Sequence, residues 1–179
     1  MVSLDGSFEG PGGALDWHNV DAEFNEFAAE QLNAAETLLF GRVTYELMAN
    51  YWPTDMAITD DPVIAEMMNT KPKIVFSRTL EKSDWSNVRL IKENVAEEIA
   101  HLKQQPGKDL LILGSSNLAI TLIEEGLIDE FRIMVSPVVL GGGTPLFKGL
   151  DNRLYLKLEQ ARTFNSGNVL LYYAPAEKR

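Results

Sequence analysis

The stretch Leu38-Leu39-Phe40-Gly41-Arg42-Val43-Thr44-Tyr45-Glu46 constrains this chain most, because an apolar strand there runs straight into a helix through a glycine and a cation. A helix start leaves backbone N–H groups without partners and carries the positive end of the helix dipole. A strand–Gly–helix junction with Arg42 and Thr44 beside it therefore suits a phosphate. The pattern returns at Leu110-Leu111-Ile112-Leu113-Gly114-Ser115-Ser116-Asn117-Leu118. Two anion-binding helix starts, each following a buried strand, suit a dinucleotide.

With 179 residues and 45% hydrophobic content, the chain is long enough for one well-buried core and short for two ordinary domains, so a single domain over 1–179 is expected. A formal charge of −10 opposes non-specific binding to nucleic acid or to an anionic membrane. A phosphate site must then be a local cationic spot in an acidic surface. There is no Cys, and the two histidines, His18 and His101, lie far apart and read as solvated, so no metal site is expected. No apolar run approaches the length of a membrane span and no basic, then apolar, leader opens the chain, so the expected location is the cytoplasm.

Strand-like and helix-like segments alternate along the chain. Phe24, Phe27, Ala28, Gln31 and Ala35 recur at helical spacing after the acidic opening Asp21-Ala22-Glu23. A strand from Thr37 to Phe40 leads to a helix from Arg42 to about Tyr51, closed by Trp52-Pro53. Strands are expected at Lys73–Ser77 and Val88–Ile91, then a helix from Val95 to Gln104 with Asn94 as its N-cap and Pro106-Gly107 as its stop. Leu110–Leu113 reads as a strand, Ser115–Glu125 as a helix capped by Gly126, and Glu130–Val135 as a strand. The alternation of Leu154, Leu156 and Leu158 with polar residues, the turn Asn165-Ser166-Gly167-Asn168 and the run Val169–Tyr173 together predict a β-hairpin. The fold class is thus α/β, with a mostly parallel central sheet, an antiparallel C-terminal hairpin at its edge and helices on both faces. The segment from Asp5 to Val20, with Gly6, Gly10, Gly12 and Gly13, reads as a long loop suited to a lid.

An ordered set of motifs carries a family resemblance. Ser3-Leu4-Asp5-Gly6, Gly41-Arg42-Val43-Thr44-Tyr45-Glu46, Phe76-Ser77-Arg78-Thr79-Leu80, Leu113-Gly114-Ser115-Ser116, and Ile128-Asp129-Glu130 followed by Ser136-Pro137-Val138-Val139-Leu140-Gly141-Gly142-Gly143 resemble the RibD C-terminal-domain family, the bacterial dihydrofolate-reductase-like proteins. The resemblance spans nearly the whole chain. It implies a three-layer dihydrofolate-reductase-like fold, NADPH as hydride donor, and reduction of a pteridine or a ribosylated aminopyrimidine, as in the reductase step of riboflavin synthesis. It also implies a homodimer, for which the apolar hairpin near the chain end offers a pairing edge.

Carried over by position, the family's cofactor contacts fall on Gly41, Arg42 and Thr44 for phosphates, on Ser77, Arg78 and Thr79 toward the adenosine, and on Gly114, Ser115, Ser116 and Asn117 for the pyrophosphate and nicotinamide side. Arg42 and Arg78 suit a 2′-phosphate, because a guanidinium makes charge-assisted bonds to phosphate. The helix carboxylate with which dihydrofolate reductases hold the pterin aligns with Asn25, flanked by Glu23 and Glu26, which departs from the folate-reductase pattern. The proton donor is therefore expected among Glu23, Glu26 and Asp5, directly or through water. Asp16, Trp17, Asn25, Gly141 and Gly142 are the expected substrate contacts. A non-catalytic NADPH-binding or ligand-sensing module on the same fold is the alternative reading. Each motif also has a plainer one: tight-turn geometry at Gly41, a polar strand end at Ser77–Thr79, and a bulge at Gly141–Gly143. Only Met1 and Val2 precede Ser3, so the family's first strand is expected to be shortened.

Overall fold

A computed structural model describes residues 1–177. The chain forms two compact units, one continuous over Asn25–Leu127 and one discontinuous, built from Met1–Phe24 with Ile128 onward. In chain order the elements are β1 (Ser7–Glu9), α1 (Ala22–Ala34), β2 (Ala35–Gly41), α2 (Arg42–Tyr51), α3 (Asp55–Asp60), α4 (Pro62–Thr70), β3 (Lys73–Phe76), β4 (Val88–Ile91), α5 (Val95–Lys103), β5 (Asp109–Ile112), α6 (Ser116–Glu124), β6 (Phe131–Val135), β7 (Thr144–Pro145), β8 (Leu156–Thr163) and β9 (Val169–Pro175).

In the continuous unit, four parallel strands lie in the order β4-β3-β2-β5. Phe40 pairs with Val75, Gly41 with Phe76 and Leu39 with Ile112. Successive side chains on a strand face opposite ways. Leu38, Phe40 and Val75 accordingly share one face, where they pack with Leu32 of α1, Tyr45 of α2, Ile64 and Met68 of α4, and Trp85. Full burial of a Leu or Phe side chain stabilises by roughly 1.5–3 kcal/mol, so this cluster fixes where the strand ends point. Lys73 is also buried, at 1% exposure. Its ammonium donates to the carbonyls of Asn69, Lys71 and Ser86 at 3.3, 2.7 and 3.2 Å and lies 4.5 Å above the Trp85 ring. All three of its donors are therefore satisfied, and the cation ties the end of α4 to the approach to β4.

Gly126 caps α6 as expected, with φ +65° and a 2.8 Å bond from the Leu127 N–H to the Leu122 carbonyl. Asn94 precedes α5 but does not cap it: it sits at φ 56° without a side-chain cap bond, and Glu97 and Glu98 meet the helix dipole instead. Helices α3 and α4 were not foreseen. Thr54 caps α3 by accepting from the Ala57 N–H at 3.3 Å, and Asp61-Pro62 opens α4 with proline in the first turn.

The discontinuous unit holds an antiparallel sheet in the order β6-β9-β8 and the small pair β1-β7. The hairpin of β8 and β9 is present, but these strands form a sheet of their own rather than an edge of the parallel one. One edge of β6 pairs with β9; on β6's other side the Val2 N–H reaches the Met134 carbonyl at 2.7 Å and the Ser136 N–H reaches the Val2 carbonyl at 2.8 Å. The expected lid loop is partly structured: β1 lies within it, followed by a 3₁₀ turn over Pro11–Gly13. Gly143, at φ +113°, makes the β1-β7 approach possible, since a Cβ there would fall 2.1 Å from the Glu9 carbonyl oxygen.

Candidate functional site

At the C-terminal edge of the parallel sheet the neighbouring strands β3, β2 and β5 end in the three segments expected to hold a cofactor. This is the edge at which open α/β sheets bind ligands. The Gly41 N–H donates to Ser115 Oγ at 2.7 Å, which joins the starts of α2 and α6. Ser115 is held at φ 60°, a left-handed conformation that strains a residue with a Cβ. The next residue back, Gly114, has φ +75°, and a Cβ on it would sit 3.6 Å from the Thr44 methyl. Gly41, Thr44, Gly114 and Ser115 are thus brought into one cradle.

Neither helix start has a side-chain cap. The first amides of α2 and α6 lack helical acceptors, as at any helix start, so the backbone offers two sets of donors to an anion. The cations differ. Arg42 forms a two-oxygen contact with Glu46 at 3.1 and 2.8 Å, whereas Arg78 is exposed and has no ion-pair partner among the described residues. Ser77 Oγ accepts from the N–H groups of Thr79 and Leu80 at 3.3 and 2.9 Å, so it shapes the turn that presents Arg78. Ser116 is half-buried and Asn117 exposed in the first turn of α6. These features fit the phosphates of a dinucleotide.

A cavity of about 520 Å³ opens at the opposite edge, among Thr37, Lys73, Trp85, Val88 and Arg89. Its cations are already engaged, Lys73 by carbonyls and Arg89 by Glu98 at 2.5 Å.

The expected acids have other work. Asp5 accepts from the N–H groups of Leu140 and Gly141 at 3.1 and 2.9 Å. The Ser3 hydroxyl, together with these amides, holds its carboxyl well below the usual range, at about 2. Such a group stays anionic near neutrality and is unsuited to donate a proton. Glu23 accepts from the backbone and side-chain amides of Asn165 at 2.9 and 3.2 Å and lies 3.6 Å from Arg162, so it braces the hairpin turn. Glu26 alone of the three is exposed on α1 without such a tie.

Among the expected substrate contacts, Gly141 meets Asp5, and a Cβ on Gly142 would sit 3.5 Å from Pro11 Cγ. Asp16 is exposed, and Trp17 Nε1 donates to the Ala14 carbonyl at 3.0 Å. Asn25 donates from Nδ2 to Asp61 Oδ1 at 2.7 Å. Asp61 was missed by sequence reasoning, although Asp-Pro at a helix start is a recognisable signal. His18, expected to be solvated, is half-buried. Among the described residues no group of three His, Asp or Glu side chains gathers as a metal site, and no helix is long and apolar enough to cross a membrane.

Comparison with known proteins agrees with this architecture. The chain is 39% identical over 174 residues to the uncharacterized protein YyaP of Bacillus subtilis (strain 168), covering 96% of this chain and 90% of that one. It superposes with a TM-score of 0.73 on a Shewanella sp. PV-4 protein provisionally named for riboflavin biosynthesis, at 26% identity and covering 98% and 96% of the two chains. The fold is also that of Enterococcus faecalis dihydrofolate reductase, solved in complex with NADP(H), with a TM-score of 0.65, 16% identity and coverage of 98% and 93%. The profile of the RibD C-terminal domain matches residues 1–170, and the chain belongs to that family.

Proposed function

We propose that the protein is an NADPH-dependent reductase of a small heterocycle, of the ribosylated aminopyrimidine or pteridine type, acting in the cytoplasm as a homodimer. The family and the fold support a reductase-type activity. The observation that carries the cofactor assignment is the cradle of Gly41, Thr44, Gly114 and Ser115 between two uncapped helix starts, with Arg78, which has no ion-pair partner among the described residues, beside it.

NADPH bound at this edge supplies a hydride to an electron-poor C=N or C=O carbon of the heterocycle. The amides of α2 and α6 would hold its phosphates, and Arg78 would take the 2′-phosphate. Ser115 keeps the two helix starts in register through Gly41. Asn25 contacts the substrate with its amide oriented by Asp61, and Glu26 relays the proton through water. Asp5 and Glu23 have structural duties in this scheme. Anaerobic incubation with NADPH and a panel of pterins, folates, aminopyrimidines and flavins, followed at the NADPH absorbance, tests it. The expected result is oxidation with at least one aminopyrimidine or pteridine, and no oxidation with any member would overturn the enzymatic reading.

The second reading, a non-catalytic NADPH-binding or sensing module, is favoured by the engagement of Asp5 and Glu23 in structural bonds. Tight NADPH binding without turnover, together with a shift in unfolding temperature caused by one panel member, would establish it.

A further inference from the structure

Arg42 opens α2 at the positive end of that helix, and no acid in the first turn offsets it. A cation there works against the helix dipole, and a cation followed by an acid one turn later is the less favourable order for a pair of this spacing. The contact between Arg42 and Glu46 therefore does little for the helix. Only one guanidinium nitrogen, Nη1, meets the carboxylate, at 3.1 Å from Oε1 and 2.8 Å from Oε2. Nε and Nη2 have no partner among the described residues, so the two-nitrogen fork that matches a phosphate is unused. To reach Glu46 the Arg42 side chain runs one turn along α2, away from the free amides at the helix start.

Two interactions thus compete for this guanidinium. Both side chains are open to water, 45% and 41% exposed, so their attraction is screened. An exposed pair at this spacing is worth about a factor of two in an equilibrium, whereas a charge-assisted bond to a phosphate is worth about tenfold or more. A phosphate at the start of α2 wins the competition, and its affinity is reduced by the pair it breaks.

We propose that Glu46 is a parking group for Arg42: without ligand it holds the guanidinium back from the start of α2, and a phosphate bound there draws it off. Glu46 thereby sets how tightly the cradle takes a phosphate and how that affinity depends on salt. This rests on the reading of the strand-end cradle as a phosphate site and names the residue that tunes it.

The test titrates inorganic pyrophosphate and, separately, NADPH calorimetrically into the whole protein, into Glu46→Gln and Glu46→Ala, into Arg42→Ala and into the double variant Arg42→Ala/Glu46→Gln. At about 20 mM salt both Glu46 variants should bind about twofold tighter than the parent, and at about 500 mM the difference should vanish, because the pair it reflects is screened. In the Arg42→Ala background the Glu46→Gln change should have no effect. The ¹³C signal of the Glu46 carboxyl should move when pyrophosphate is added to the parent, as its cation leaves, and stay in place in Arg42→Ala. Unchanged or weaker binding in both Glu46 variants, a gain that persists without Arg42, or a Glu46 signal indifferent to pyrophosphate would overturn the proposal; weaker binding would mean that Glu46 braces Arg42 in its binding position. NADPH binding that ignores Glu46 overturns this inference alone. Pyrophosphate binding that shows the Glu46 effect in a protein that does not take NADPH supports the parking group and overturns the cofactor assignment, and binding of neither ligand overturns both.

Discussion

Arg42 and Arg78 both follow strand ends, yet of the two only Arg78 lacks an ion-pair partner among the described residues. NADPH is expected to bind more tightly than NADH, and a charge-assisted contact of about 1.5–3 kcal/mol makes the gap roughly tenfold to a hundredfold. Arg78→Ala should narrow that gap more than Arg42→Ala, because Arg42 is already paired with Glu46. Titration calorimetry with both cofactors reads this, and equal dissociation constants for the two in the parent protein would refute it. Asp5 makes a separate prediction. Its carboxyl is held at about 2, below its usual value of 3.8, by the Ser3 hydroxyl and the Leu140 and Gly141 amides. A depressed carboxyl contributes stability that is present above its ordinary titration range and is lost as pH falls through the folded value. Asp5→Asn should therefore lower the unfolding midpoint at neutral pH, and its deficit should shrink as pH falls from about 4 toward 2. A deficit independent of pH would show that the charge does not matter.

Among the elements, the pairing of β1 with β7 depends on one missing methyl group. Gly143→Ala would drive a Cβ into the Glu9 carbonyl and impose a strained φ, so a loss of about 2–4 kcal/mol is expected in denaturant unfolding. Faster amide exchange in residues 7–9 and 144–145 should accompany it. The same pair illustrates what a sequence hides. The strand–helix units around β2, β3 and β5 were legible because each has its own apolar run and its own Gly or Pro punctuation. β1 and β7 are two or three residues long and find each other across most of the chain, with no local pattern to mark them. Helices α3 and α4 are short, follow Trp52-Pro53, which reads as a helix end, and are separated by Asp61-Pro62, where Pro62 opens the second of them. The strand ends proposed to hold a cofactor were legible for the same local reason as their strands. The bonds of the expected acids were not legible because their partners are remote: Asp5 meets Gly141 over 136 positions and Glu23 meets Asn165 over 142.

For the whole molecule, the sequence argues for one domain while the contacts divide into two compact units. One cooperative transition is expected, with tryptophan fluorescence and far-UV circular dichroism coinciding, since Trp17 reports on one unit and Trp52 and Trp85 on the other. Separate midpoints would mean two independently folding bodies. The outer strand β8 leaves one edge free within its sheet and exposes Leu158, which is consistent with pairing to a second copy, although the nearby Lys157 and Glu159 limit indiscriminate association. Light scattering at micromolar concentration should give about twice the chain mass of 20.0 kDa, and a value near the single mass would exclude the dimer.

Because one unit is contiguous while the other is assembled from both ends of the chain, the two cannot mature together on the ribosome. Everything the parallel sheet needs has been synthesised by Leu127, whereas Val2 waits for β6 to emerge and β1 waits for β7. The residues up to Phe24 must therefore wait for these partners, within reach of chaperones and proteases, until β6 and β7 have been translated. Nascent chains stalled shortly after Leu127 should already protect β2, β3 and β5 from exchange while cleavage before Asn25 remains easy.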